Sequence, residues 1–336
     1  MRFRFSFAPL LLLVGCEALV GKPTPQPADL RPDDLRDNAI PAGAAEPAWR
    51  DLMRHTAIPE PGKALHPSVS RDGSMLAYST TEFGPTAQVA LKSAQGAAPM
   101  QITRNGGDNL FPRLSPDGRL LAYASNQGGN YDLYVARVDA PMSPMQVTFE
   151  AADEVAPSWS PDGKHLAYCA RTPEGVWQLV LVDIGSRVKT FLGAGVYPDW
   201  SPDEKDPWIC FQSQPRSPGG RTSVWAVRPD GTQLREVVGD RAQAWSAFNP
   251  RFSPDGRWIA YATLRRSPES RAWGDPEAAD DIWIIRPDGT LDMRLTDDLS
   301  PEWWPTWGGD RLFFVSRRKG GQNIFSVKVK PLEDDK

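Results

Sequence analysis

"FPRLSPDGRLLAYAS", residues 111–125, reads as an extended segment, a tight turn and a second extended segment. In Ser115-Pro116-Asp117-Gly118 the proline presets φ at the second turn position and the aspartate bonds nearby backbone. The glycine then takes the left-handed conformation that leads into the return strand. In that strand Leu121 and Tyr123 share a face, with Ala122 between them. Both faces are apolar, which predicts a strand packed between neighbouring sheets.

Working outward, the unit recurs as "HPSVSRDGSMLAYST", "APSWSPDGKHLAYCA", "YPDWSPDEKDPWICF", "NPRFSPDGRWIAYAT" and "WPTWGGDRLFFVS". The opening prolines are Pro67, Pro112, Pro157, Pro198, Pro250 and Pro305, at spacings of 45, 45, 41, 52 and 55. Alignment puts Tyr78, Tyr123, Tyr168, Cys210, Tyr261 and Phe314 in one column. A third extended stretch follows each pair ("QVALK", "DLYVARV", "WQLVLVD", "SVWAVRPDG", "DIWIIRPDG", "NIFSVKV"), and a short fourth follows all but the last. Four antiparallel strands per repeat of this length make a propeller blade. The expected fold is therefore all-β: a six-bladed propeller over residues 50–332. The sixth unit runs out after three strands, so the missing outer strand is expected from residues 51–58, closing the ring and removing an open edge.

The flanks read differently. "MRFRFSFAPLLLLVGC" has Arg2 and Arg4 ahead of an apolar run too short to span a bilayer. Leu13-Val14-Gly15-Cys16 resembles the lipobox of bacterial lipoproteins, which implies removal of residues 1–15 and acylation of Cys16. Several acyl chains together anchor a protein firmly. Residues 16–49 are rich in Pro, Ala and Asp without apolar periodicity, as expected of a disordered tether; residues 333–336 form a short tail. Loss of residues 1–15 takes the net charge from −4 to −6, which argues against a nucleic-acid partner. Cys169 and Cys210 align on different blades with opposite strand parity, so no disulfide is expected.

The P-x-[apolar]-S-P-D-G-x-x-[apolar]-A-Y unit, with its D-[LI]-[YW] strand downstream, resembles the propeller repeat of the TolB-like family, found also in prolyl oligopeptidase propellers. The resemblance covers residues 60–330 and implies the fold and a bacterial envelope setting. It departs in Arg71 at the turn proline, in Glu204 at the turn glycine, in a shortened turn at 308–310, and in the absence from residues 16–59 of anything resembling TolB's separate α/β domain.

Chemistry is sparse. There is no G-x-S-x-G elbow, and His55, His66 and His165 stand in no metal-ligand spacing. The repeated aspartates are explained as turn formers, and Asp132 and Asp281 as local hydrogen-bonders. No catalytic residue, metal or cofactor is assigned. What remains is the face opposite the S-P-D-G turns. His66, Phe111, Tyr197, Asn249 and Trp304 precede the opening prolines, with Asn109, Glu154 and Glu302 just upstream, and all are expected to ring one solvent-accessible channel mouth. Residues 264–280 form the longest insertion over that mouth and carry Arg265, Arg266, Arg271 and Trp273 as a recognition loop.

Three functions compete. One is a monomeric, lipid-anchored scaffold facing the periplasm that engages an envelope protein or peptide at the mouth. The second is a lyase or hydrolase acting on a glycan, using mouth carboxylates such as Glu154 and Glu302. The third is a structural envelope component without a specific ligand. Cys16→Ser is expected to release the protein into soluble fractions or block its processing. A Ser variant processed and membrane-bound like the parent, on fractionation and mass analysis, would rule out the anchor.

Overall fold

A computed structural model describes residues 49–214, 221–239, 245–265, 280–296, 300–318 and 320–329. The segments expected to be signal peptide, tether (up to residue 48) and tail, with Cys16, Arg266, Arg271 and Trp273, lie outside them. The closing strand β1 is Trp49–Arg54. Blade 1 is β2 (Ala64–Val69), β3 (Met75–Thr80), β4 (Gln88–Ser93) and β5 (Met100–Gln101). Blade 2 is β6 (Asn109–Leu114), β7 (Leu120–Ser125), β8 (Asp132–Arg137) and β9 (Ala140–Gln146). Blade 3 is β10 (Glu154–Trp159), β11 (His165–Arg171), β12 (Trp177–Asp183) and β13 (Lys189–Ala194). Blade 4 is β14 (Val196–Trp200), β15 (Ile209–Gln212), β16 (Val224–Val227) and β17 (Arg235–Val238). Blade 5 is β18 (Trp245–Phe252), β19 (Ile259–Arg265), β20 (Asp280–Ile285) and β21 (Met293–Arg294). Blade 6 is β22 (Glu302–Gly308), β23 (Arg311–Ser316) and β24 (Asn323–Val329), completed by β1.

The first hairpins of blades 1, 2, 3 and 5 are each fixed by a small polar clasp. In blade 2, Ser115 Oγ donates to Asp117 Oδ1 (2.6 Å) and accepts from the Leu120 amide (2.9 Å), while the Arg119 amide donates to Asp117 Oδ1 (3.1 Å). Gly118 sits at φ +70°. The clasp returns at Ser160/Asp162 and Ser253/Asp255. These hydrogen bonds hold the Asp117 carboxyl below its usual range, so the aspartates are consumed by the turns, as their sequence context predicts.

The second strands lie between sheets, and Tyr78, Tyr123, Tyr168 and Tyr261 are almost wholly buried there. Burial of rings this size is worth roughly 4–6 kcal/mol each before entropy is charged. Blade 4 corrects the alignment. Asp199 pairs with Cys210 and Trp200 with Ile209, as Ser68 pairs with Ala77 and Val69 with Leu76. Phe211, not Cys210, thus fills the tyrosine position. The cause is the turn: the Trp208 amide reaches Ser201 Oγ seven residues back, where the other turns span five. Cys169 and Cys210 therefore share strand parity, contrary to the alignment; both are buried and free.

Closure uses residues 49–58, a window shifted slightly from that expected. Trp49 pairs with Val329 and Arg54 with Phe325, and Arg311 Nη1 meets Asp51 Oδ2 at 2.7 Å. Beyond the strand, Thr56 Oγ1 donates to Asn323 Oδ1 (3.0 Å), which also accepts from the Ile58 amide (2.8 Å). His55 is buried between blades, with Nδ1 2.9 Å from the Ala94 carbonyl and Nε2 2.7 Å from Ser326 Oγ. A carbonyl only accepts, so Nδ1 carries the proton and Nε2 accepts from the serine. Burial is the main cause that lowers the His55 pKa to about 4.

Deleting residues 17–45 is expected to leave the melting temperature nearly unchanged, whereas deleting 17–59 lowers it by 10 °C or more, a loss on the order of 6 kcal/mol at this chain length. Equal melting temperatures would remove the closure. The His55 contribution is complete above its unfolded value near 6.5 and is lost as pH falls toward 4. Thermal melts of His55→Gln should therefore show a flatter stability slope across that window; an unchanged slope would reject the neutral latch.

Candidate binding site on the propeller axis

The site begins with a backbone peculiarity. In every inner strand the residue before the opening proline is left-handed: His66, Phe111, Ala156, Tyr197, Asn249 and Trp304 have φ between +51° and +55°. At this point the register with the second strand slips, so two inner-strand residues face one partner. The irregularity is a β-bulge, which bends and re-aims a strand. Each left-handed non-glycine residue costs about 1 kcal/mol or more, so the packing around it must over-determine the conformation.

The side chains so aimed meet one another. His66 lies 4.0 Å from Phe111 and 4.5 Å from Trp304 between ring centroids, and Tyr197 lies 5.3 Å from Trp304. They form a plug. Trp304 is 9% exposed and Tyr197 4%, which corrects the expectation of open amphipathic rings at a solvent-accessible mouth. The bulge points them inward, where ring-on-ring contact replaces water. Asn249 and Ala156 complete the layer, both buried. Burial, with Arg113 and Arg251 nearby, lowers the His66 pKa to about 3.

The upstream polar residues are buried as well. Asn109 Nδ2 donates to Gln88 Oε1 and to the Gly107 carbonyl, and bonds Asn105. Glu302 is ion-paired with Arg318. Glu154 is raised to about 9, first by burial and then by Glu150 and Asp132, so it is protonated at neutral pH. Glu154 and Glu302 belong to blades 3 and 6, three blades apart in a six-membered ring. Glu154 is engaged with Asp132 of blade 2 and Glu302 with Arg318 beside its own blade, and the two are not brought together. Asp281, expected to bond locally, pairs with Arg294 Nη2 at 2.8 Å. Arg265 ends β19, the last described residue before the insertion.

Sequence reasoning missed a second ring. The residue after each opening proline, Ser68, Arg113, Ser158, Asp199, Arg251 or Thr306, lines a cavity of about 140 Å³. The prolines of the S-P-D-G turns line it too, so it reaches the turn face, opposite the face favoured from sequence. The signal was present: this column of the innermost strand is polar in all six repeats, between an opening proline and a mostly apolar position. Asp199 Oδ1 lies 3.7 Å from Arg113 and 4.0 Å from Arg251. Burial, then the like charge of Arg251, pulls the Arg113 pKa down to about 9, with Asp199 opposing. Among the described residues no cluster of three or more His, Cys, Asp or Glu is placed to hold a metal.

A family model for the TolB beta propeller domain matches residues 54–214. The Tol-Pal system protein TolB of Anaeromyxobacter dehalogenans (strain 2CP-C) is 31% identical over 141 residues, which are 41% of this chain and 28% of that protein. The chain thus matches under a third of that relative's length. A solved candidate TolB from Agrobacterium tumefaciens superposes with a TM-score of 0.62 at 23% identity, covering 84% of this chain and 97% of that one. An oligogalacturonate lyase from Vibrio parahaemolyticus superposes at 0.55 and 14% identity, covering 83% and 94%. At these identities the two structures show a shared fold alone. With six blades closed by β1, the protein is a six-bladed β-propeller whose residues 54–214 match the TolB beta propeller domain.

Proposed function

We propose that this protein is a monomeric, lipid-anchored scaffold of the bacterial cell envelope, facing the periplasm, that engages a protein or peptide partner at an end of its propeller. The anchor is the acylated Cys16 implied by the lipobox. The envelope setting is supported by the similarity to a Tol-Pal system protein.

One observation carries the binding reading: the axial channel is stopped by the aromatic plug on one side and holds a small polar cavity on the other. Pockets that enclose whole small molecules run to about 300–1,000 Å³, and this one has about 140 Å³. Its size suits one side chain or chain end projecting from a larger partner. A rigid frame of this kind gives affinity through fixed geometry, because little is ordered on binding. Around the plug, His66, Phe111, Tyr197, Asn249 and Trp304 brace the other end, where Arg265, Arg266, Arg271 and Trp273 of the 264–280 insertion would supply further contacts.

Photo-crosslinking residues placed singly at Pro116 on the turn face, Gln127 on the loop face and Val188 on an outer edge should trap a discrete protein from living envelopes at one ring end, and little from Val188. Adducts from Val188 alone, or from none of the three, would overturn the scaffold reading. Shortened products from a polysaccharide panel would move it to the glycan-acting alternative.

A further inference from the structure

We propose that the turn-face cavity is a binding site for a single carboxylate presented by a peptide, held between Arg113 and Arg251. This deepens the scaffold reading and rests on it.

Charge comes first. The ring holds two guanidinium groups and one carboxylate among three hydroxyl-bearing residues, so its net charge is +1. Arg113 and Arg251 come from blades 2 and 5, three apart, and approach Asp199 only at 3.7 and 4.0 Å. Charge-assisted hydrogen bonds close to about 2.7–2.9 Å, so neither pair is at full contact. Asp199 is held by the wall instead: Oδ2 accepts from the Phe252 amide (2.9 Å) and Oδ1 from Ser158 Oγ (3.3 Å).

The donors are therefore in surplus. Arg251 Nη1 donates to the Pro250 carbonyl at 2.9 Å. Arg113 has five N–H donors, and among the described residues its one recorded side-chain partner is Asp199. Its side chain is only 12% exposed. Charged donors left without an acceptor away from bulk water carry a desolvation penalty. An incoming acceptor with one negative charge offsets that penalty and brings the six-residue ring to neutrality. Guanidinium forks match the two oxygens of a carboxylate.

The entrance fits the same ligand. Arg71 stands where blades 2 to 5 carry the turn proline, and its Nη2 donates to the Pro202 carbonyl of blade 4, three blades from its own, at 3.1 Å. It crosses the opening. That contact is exposed, so water or an incoming oxygen can replace it at small cost, and its charge favours anions at the rim.

The test uses the full lipidated chain in detergent, with isothermal titration at constant ionic strength. The probes are N-acetylglycylglycine (a terminal carboxylate), N-acetylglutamate α-amide (a side-chain carboxylate), N-acetylglycylglycinamide (neutral) and trigalacturonate. One or both peptide carboxylates should bind saturably, the neutral amide at least tenfold more weakly; the tighter of the two identifies the source of the group. Arg113→Gln and Arg251→Gln should each weaken binding at least tenfold, with Arg113→Lys retaining part. If these glutamine variants do not fold, Thr306→Asp, which neutralises the ring from another blade, should abolish binding without lowering the melting temperature. No saturable carboxylate binding, equal binding of the amide, unchanged affinity in the variants, or binding of trigalacturonate alone would each overturn the inference. Undiminished photo-crosslinking by the Arg113→Gln/Arg251→Gln double variant would reject the carboxylate site yet leave the scaffold standing. Loss of adducts from the parent chain would reject the scaffold itself.

Discussion

Six left-handed residues, one before the opening proline of each inner strand, determine how the ring is filled. Each introduces a bulge at the same level. The bulge turns a side chain to the axis, where His66, Phe111, Tyr197 and Trp304 pack ring against ring. Below it, the residue two positions on, just after the proline, enters the cavity wall, which is why the plug and the polar ring follow one another along the channel. Removing the bulge would shift the inner strand by one residue and exchange the roles of its two faces.

The two axial layers differ in electrostatic character because their depths differ. The plug is aromatic, and His66 within it is kept neutral by burial. The ring behind it holds fixed charge because Asp199 bonds to its wall while lying within reach of both arginines. Buried charge of this kind is weak evidence for stability, since desolvation opposes the attraction.

The fold was legible in the sequence because its signal is periodic and local. Proline, turn and alternating strand recur with a physical reason at each column, and closure follows from a strand missing at one end. The blade 4 register was not legible, because the Ser201–Trp208 turn spans two residues more than its counterparts and no composition signal locates them. The site was legible only as a level along the axis. That Tyr197 and Trp304 point inward depends on positive φ values at non-glycine residues, which the sequence favours nowhere. That Arg113 and Arg251 share Asp199 depends on contacts between blades 2, 4 and 5, separated by 52–86 residues.

The closing strand also orders events in time. Trp49 pairs with Val329 and Arg54 with Phe325, partners 271–280 residues apart, so the strand emerging first from synthesis or export waits for the one emerging last. Each of the other five blades is built from a single run of sequence, and such local hairpins form early, whereas joining distant ends bears the loop-closure entropy of nearly the whole chain. Until Val329 arrives, β24 presents an unpaired edge and the core face of blade 6 lacks its cover. The ring is consequently most vulnerable to aggregation and proteolysis in its final step of assembly, with five blades formed and the seam open.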